Sequence, residues 1–325
     1  MKDFKTTSKF SEPIIDAPKS NWVDRFCPLW SMPFLKLSRL DRPIGTWLLL
    51  LPCWWGSAFA ILSKSSPITY QDIWVPLSCI LGAILMRGAG CTWNDISDQE
   101  YDKKVERTKL RPIAAGQVST LAALIWMFMQ AFLALMILLT YNSFAITVGF
   151  IAIVPVLVYP FAKRFTWWPQ FFLGIAFNWG ILLCFAAHIE SITISIIIFY
   201  IAAIFWTIFY DTIYAFQDKV DDDLIGLKST ALLFGKNAFK WLSLFIIASI
   251  SLMAIGFYLI SDNLSFLQLT VITAGIVLFS LHLLNQLKKL DQNNPSLCLK
   301  LFRSNKNAGL LFLVSLIVSI LVKNI

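Results

Sequence analysis

Ten of the 19 acidic residues fall in two short stretches: Asp95, Asp98, Glu100, Asp102 and Glu106 in one, and Asp211, Asp218, Asp221, Asp222 and Asp223 in the other. If the chain is helical through the first, Asn94, Asp98 and Asp102 recur at i, i+4 and i+8 and stack along a face that drifts by only about 40° per step. Asp211, Asp218 and Asp222 recur at i, i+7 and i+11 and return to one side in the same way. Like charges four residues apart destabilise a helix by about 0.2–0.5 kcal/mol per pair in water, and their repulsion grows as the dielectric falls. Each column therefore calls for a cation. Oxygen-only donors suit a hard divalent ion, and Mg2+ takes one or two carboxylates and completes its octahedron with water and substrate phosphates. Arg107 and Arg111 follow the first stretch, and Lys163 and Arg164 form a second basic pair. Arginine grips phosphate bidentately, whereas lysine acts as a point charge. The plainer alternative has the acids solvating loop ends and pairing with Lys103, Lys104, Arg107 and Lys219. It explains one stretch more easily than two at helical spacing, because ionisable groups at the edge of a membrane are usually functional.

That edge is set by composition. Only 14% of the 325 residues are charged, 58% are hydrophobic and 15% are aromatic, with a mean hydropathy of +0.70. This is more apolar surface than a water-soluble monomer hides, and six cysteines are too few for a disulfide-stapled module. A hydrocarbon core about 30 Å thick takes roughly 20 apolar residues per helix. Nine runs qualify: 44–62, 71–91, 118–140, 143–161, 170–188, 191–214, 238–260, 266–286 and 307–323. Open sheet edges are excluded in lipid. With the N-terminus cytoplasmic, 25 of the 27 Lys and Arg lie on the cytoplasmic side, and only Lys64 and Lys323 fall on the other. Such asymmetry in short loops sets topology, so the +8 charge speaks for orientation rather than for a nucleic-acid partner. Both acid stretches follow even-numbered spans and share the cytoplasmic face.

Residues 1–43 form a cytoplasmic N-terminal segment. Residues 1–35 lack the apolar core of a cleaved signal, and Phe4, Phe10, Trp22, Phe26 and Trp30 among basic residues suit a stretch lying at the membrane surface, with a disordered tail as the alternative. Residues 44–325 form the single transmembrane domain. The cysteines at 27, 53, 79, 91, 184 and 298 show neither a CxxC pair nor a metal-ligand spacing, and read as reduced, inert thiols. His188 and His282 have no assigned role. A secondary transporter would carry its ionisable groups near the bilayer midplane in inverted repeats, which are not evident here.

The run Asn94-Asp95-Ile96-Ser97-Asp98-Gln99-Glu100-Tyr101-Asp102 resembles the NDxxDxxxD signature of the UbiA family of intramembrane aromatic prenyltransferases. RLDRPIG at 39–45, LMRGAGCTWND at 85–95, RTKLRP at 107–112, YPFAKRFTWWPQ at 159–170 and YDTIYAFQDKVDDDLIGLKSTALLFG at 210–235 agree with it. The last is similar to the 4-hydroxybenzoate polyprenyltransferase branch in particular. The resemblance is strong over 39–240. It departs at 111–116, where a second Pro or a Ser is expected before Gly116. The resemblance implies an all-α membrane protein with nine transmembrane helices around a central cavity, capped by the two acidic loops on the cytoplasmic side. It implies Mg2+-dependent transfer of a polyprenyl group from its diphosphate to the ring carbon ortho to the hydroxyl of 4-hydroxybenzoate, in ubiquinone synthesis. The alternatives are another aromatic acceptor or, in a different class, a transporter. Asn94, Asp98 and Asp102 would form one metal–diphosphate cluster and Asp211, Asp218 and Asp222 the other, supported by Asp95, Asp221 and Asp223. Asp98, Asp102, Asp218 and Asp222 would be catalytic. Arg107, Arg111, Lys163 and Arg164 would contact diphosphate, and Arg39 the benzoate carboxylate. The site would lie in a bacterial inner or mitochondrial inner membrane, with the N-terminus on the cytoplasmic or matrix side.

Overall fold

The computed structural model describes residues 17, 18, 20–105 and 107–322. Phe4, Phe10, Glu106 and Lys323 lie outside the described residues. Among the described residues the regular structure is helical, and nine helices are long and apolar enough to cross a membrane: α1 (Ile44–Ser63), α2 (Tyr70–Ser97), α3 (Thr120–Leu138), α4 (Ser143–Phe165), α5 (Pro169–Ile189), α6 (Ile194–Ala215), α7 (Thr230–Tyr258), α8 (Phe266–Lys289) and α9 (Pro295–Leu321). The chain is a multi-pass, all-α membrane protein.

Three helices overrun their apolar runs. α2 continues from the expected 91 to Ser97, α7 begins at Thr230 rather than 238, and α9 begins at Pro295 rather than 307. Hydropathy marks where lipid ends; capping marks where a helix does. Asn294 accepts a hydrogen bond from Leu297 N at 3.1 Å and Pro295 stands at the first helical position, so α9 starts a dozen residues before its apolar stretch and carries Lys300, Arg303 and Lys306. α4 is broken between Ile151 and Ile153. Pro155 has no N–H for the Ile151 carbonyl four residues back, and its ring crowds that carbonyl.

The chain divides into two compact units, one comprising Met1–Thr46 and Leu81–Ile137, the other Trp47–Ile80 and Leu138–Ile325. In the first, Leu37, Ile113, Val118 and Ala123 form a buried cluster with Phe34, Ile96, Ala122 and Trp126 against it. A polar chain crosses this core: Trp126 Nε1 donates to Ser38 Oγ at 2.8 Å, and Ser38 Oγ donates to Gln130 Oε1 at 3.0 Å. The exposed faces of Trp22, Phe26, Leu29 and Trp30 belong to the short helix Trp22–Phe26 and the turn after it.

In the second unit α6 packs against α5 and α7, and α8 against α9. Its core is aromatic: Trp55 lies 4.9 Å from Trp206 and edge-on to Phe279 and Phe312 at 6.0 and 5.1 Å between ring centroids. Trp206 Nε1 donates to Asn305 Oδ1 at 3.0 Å, so its indole is both packed and satisfied. α5 and α6 approach closely where Gly174 faces Ile204, and Asn178 Nδ2 donates to Thr207 Oγ1 at 2.7 Å. Burial differs widely between helices: 72% of the α6 window lies inside the protein, against 11% for α3.

Candidate active site

The first acid set does not ride on one uninterrupted helix. α2 ends at Ser97, and Asp98, at φ −101° and ψ 7°, precedes a short helix, Gln99–Asp102. The amide ladder nevertheless carries through the break: Asp98 N donates to Asn94 O and Asp102 N to Asp98 O, both at 2.9 Å. The i, i+4, i+8 relation survives with a change of direction at its middle residue. Asp95, Asp98 and Asp102 are buried, Asp98 completely, and Asn94 is half-buried.

Two arginines answer two of these acids. Arg39 Nη2 donates to Asp95 Oδ1, and Arg39 Nη1 donates to Lys36 O at 3.1 Å. Arg111 Nη1 donates to both oxygens of Asp102, at 3.1 and 2.9 Å, and to Asp95 Oδ1 at 3.2 Å. Burial pulls both guanidinium pKa values down, but the attraction of Asp95 for Arg39, and of Asp102 and Asp95 for Arg111, outweighs it and holds each above its ordinary value. Arg39 sits at φ +57°, just after the helix Met32–Leu37, with Leu40 N donating to Leu35 O at 3.1 Å. That left-handed closing position usually takes glycine, and a side chain there strains the backbone by about 1 kcal/mol or more. The guanidinium held there ties Asp95 to the helix end.

The remaining polar groups show what the site lacks. Asp95 Oδ2 is buried without a hydrogen-bond partner. So are both oxygens of Asp41, which lies 3.8 Å from Arg42 Nε, and burial raises the Asp41 pKa against the pull of Arg42, Arg39 and Lys36. Glu100 is exposed and takes a hydrogen bond from Lys103 at 2.7 Å, which lowers its pKa. At the 111–116 departure, Ala115 N donates to Arg111 O at 2.8 Å, a bond that proline at 115 could not make, and Gly116 turns the chain at φ +70°.

The second set repeats the device. Asp211 lies on α6, which ends at Ala215, and Asp218, at φ −105° and ψ 2°, precedes a short helix, Lys219–Leu224. Asp222 N donates to Asp218 O at 2.8 Å. Gly226, at φ +72°, closes that helix, with Leu227 N donating to Asp222 O at 2.9 Å. Lys228 N then donates to Lys163 O at 2.9 Å, and Thr230 N to Gln170 Oε1 at 3.1 Å. These bonds seat the acidic loop on the end of α4 and the start of α5, which brings Lys163 and Arg164 beside it. Asp211, Asp218, Asp221, Asp222 and Lys163 are half-buried, Asp223 and Arg164 are exposed, and Arg107 in the first unit is half-buried.

The donors of both sets are oxygens alone, the chemistry Mg2+ takes, and beside the first the Oδ2 of Asp95 is buried without a partner. The UbiA prenyltransferase family model matches residues 49–316, and the chain belongs to that family. It is a prenyltransferase. The mitochondrial 4-hydroxybenzoate polyprenyltransferase of Bos taurus is 44% identical over 293 residues, 90% of this chain and 76% of that protein. The protein of the same name from Homo sapiens is 45% identical over 287 residues, 88% of this chain and 74% of that one. Among solved structures, the apo UbiA homolog from Aeropyrum pernix K1 superposes with a TM-score of 0.67 at 22% identity, covering 86% of this chain and 98% of that one. The UbiA homolog from Archaeoglobus fulgidus bound to GPP and Mg2+ gives 0.66 at 21% identity, covering 89% and 99%. These structures share the fold.

Sequence reasoning missed the Asp95 clamp, which it placed in a supporting role, and Asp41. The paired arginines of RLDRPIG and RTKLRP flanking buried acids were the available signal.

Proposed function

We infer that this enzyme transfers an all-trans polyprenyl group from its diphosphate to the ring carbon ortho to the hydroxyl of 4-hydroxybenzoate, giving 3-polyprenyl-4-hydroxybenzoate for ubiquinone synthesis. What carries the reading is identity of 44–45% over about nine-tenths of the chain to proteins of that named activity. Asn94, Asp98 and Asp102 would hold Mg2+ in one cluster and Asp211, Asp218 and Asp222 in the other. Bound Mg2+ supplies Lewis acidity that neutralises the diphosphate as it leaves. Arg107, Arg111, Lys163 and Arg164 orient the diphosphate oxygens. Arg111, which donates to both Asp102 oxygens, would turn to the substrate, leaving Asp102 available to hold Mg2+. Arg39 is assigned the benzoate carboxylate; its present partner, Asp95, marks a place where one carboxylate already sits.

The carbon–oxygen bond to diphosphate breaks, the electron-rich phenol ring forms the new carbon–carbon bond, and the ring proton leaves to restore aromaticity. Lipid and apolar side chains keep water from the allylic cation, and aromatic faces stabilise its charge. The enzyme works in a mitochondrial inner or bacterial plasma membrane with both acid sets on the matrix or cytoplasmic side. The test is a membrane assay with labelled 4-hydroxybenzoate and a series of polyprenyl diphosphates. Prenylated product that disappears in excess EDTA is expected; turnover of a different aromatic acceptor alone, or full activity in EDTA, overturns the reading. A reporter fused after Ile325 should read as external.

A further inference from the structure

Three thiols from three helices meet inside the second unit: Cys53 of α1, Cys79 of α2 and Cys184 of α5. Their Sγ atoms lie within 4.8 Å of one another, with Cys79 and Cys184 at 3.3 Å, and all three are buried, reduced cysteines. Gly180 of α5 allows the approach, because a Cβ there would collide with Cys53 Sγ. A second observation points to a ligand. His188 follows Cys184 by one turn, on the same face of α5. Its Nδ1 lies 2.9 Å from Asp72 Oδ1, and both ring nitrogens are buried without a hydrogen-bond partner. The cysteines, read from sequence as unrelated inert thiols, therefore form a cluster, and prenyl transfer uses none of them.

We propose that Cys53, Cys79 and Cys184, whose Sγ atoms form the 4.8 Å group, bind one thiophilic d10 cation, of the class of Zn2+ and Cd2+, with His188, one helical turn from Cys184, turning in as the fourth donor. Sulfurs held about 2.3 Å from such an ion stand about 3.8 Å apart in a tetrahedron, within the range the three thiols already occupy. Soft thiolate donors discriminate against Mg2+, so this ion is distinct from the one the acid sets take. Binding replaces three S–H bonds by three metal–sulfur bonds and releases three protons to solvent. The ion cancels two of the three thiolate charges.

The test titrates the detergent-purified full chain with Cd2+ in excess Mg2+, which keeps the oxygen sites occupied. One equivalent should produce a near-ultraviolet thiolate-to-metal charge-transfer band, which carboxylates cannot give, with release of three protons in weak buffer. Cys79→Ser, Cys184→Ser and His188→Ala should each weaken Cd2+ binding by about tenfold or more while prenyl transfer persists. The proton count on the unaltered protein stands even if a variant fails to fold. Absence of the band, or unchanged affinity in either cysteine variant, overturns the site; unchanged affinity in His188→Ala overturns its four-donor form.

Discussion

Asp98 and Asp218 adopt nearly the same backbone conformation at equivalent points of the chain, φ −101° and ψ 7° against φ −105° and ψ 2°. Each directly precedes a short helix, and the carbonyl of each accepts the amide of an aspartate four residues on, Asp102 at 2.9 Å and Asp222 at 2.8 Å. Conformations near this bridge region are sparsely populated and recur at functional positions. The approach differs: Asp98 N keeps the helical bond to Asn94 O at 2.9 Å, whereas Asp218 N donates three residues back, to Ala215 O at 3.2 Å.

Asp98→Asn and Asp218→Asn should each lower turnover by about a hundredfold or more, because each keeps side-chain volume and a carbonyl oxygen but removes the charge that the proposed Mg2+ clusters need. Glu190→Gln, exposed beyond α5, should leave the rate within a few-fold of the parent. Initial rates normalised to membrane abundance decide it, and equal rates in all three would remove the acid sets from the site. Asp72 makes a poor control: it is buried, accepts two hydrogen bonds from Lys64 at 2.7 and 2.8 Å, and meets His188.

Arg39→Ala should lower stability by about 3–5 kcal/mol, since it leaves Asp95 with a buried charge that Arg111 only partly answers. Adding Asp95→Asn should recover much of that loss. Thermal melts of the two singles and the double in one detergent give the coupling; additive effects would mean that the pair is not a unit.

Asp41 should give stability a pH dependence of known sign. Burial raises its folded pKa, so the folded state holds the proton more tightly than the unfolded chain. Its contribution is full below the ordinary aspartate range and is lost as pH rises through the folded value. Asp41→Asn should remove that slope, measured as Tm against pH from acid to neutral. A slope unchanged in the variant would assign it to another group.

Gly226→Ala should loosen the Asp218–Asp222 helix by about 1 kcal/mol, because φ +72° is left-handed, and a Cβ there would meet nothing within 4 Å. Asn, more tolerant of that region, should cost less. Mg2+ dependence of the rate is the readout: both variants should need more Mg2+, Ala more than Asn.

The helices were legible because bilayer thickness imposes a length that hydropathy reads directly. Their ends were less so: nothing apolar announces that α9 begins at Pro295, and no Gly or Pro marks the breaks at Asp98 and Asp218. The acid sets were visible as spacing, and the family motif added their partners. Arg39 was visible as a cation but not as a left-handed residue, since arginine is not a signal for that conformation. The Cys53, Cys79 and Cys184 meeting was invisible because their separations along the chain exceed any local pattern. Only tertiary packing of α1, α2 and α5 creates it.

The burial of α6 bears on how this protein assembles after insertion. A helix that leaves lipid for protein gains nothing from apolar transfer, since the acyl chains are as oily as its neighbours. The association of α6 with α5 must therefore be driven by close contact at Gly174 and by the Asn178–Thr207 hydrogen bond, satisfied at 2.7 Å. α3, with 11% of its window buried, is held by fewer contacts, among them the Trp126–Ser38–Gln130 chain. Biogenesis should accordingly fail first at the α5–α6 seam, where a bulkier residue at 174 would leave each helix inserted yet unpaired.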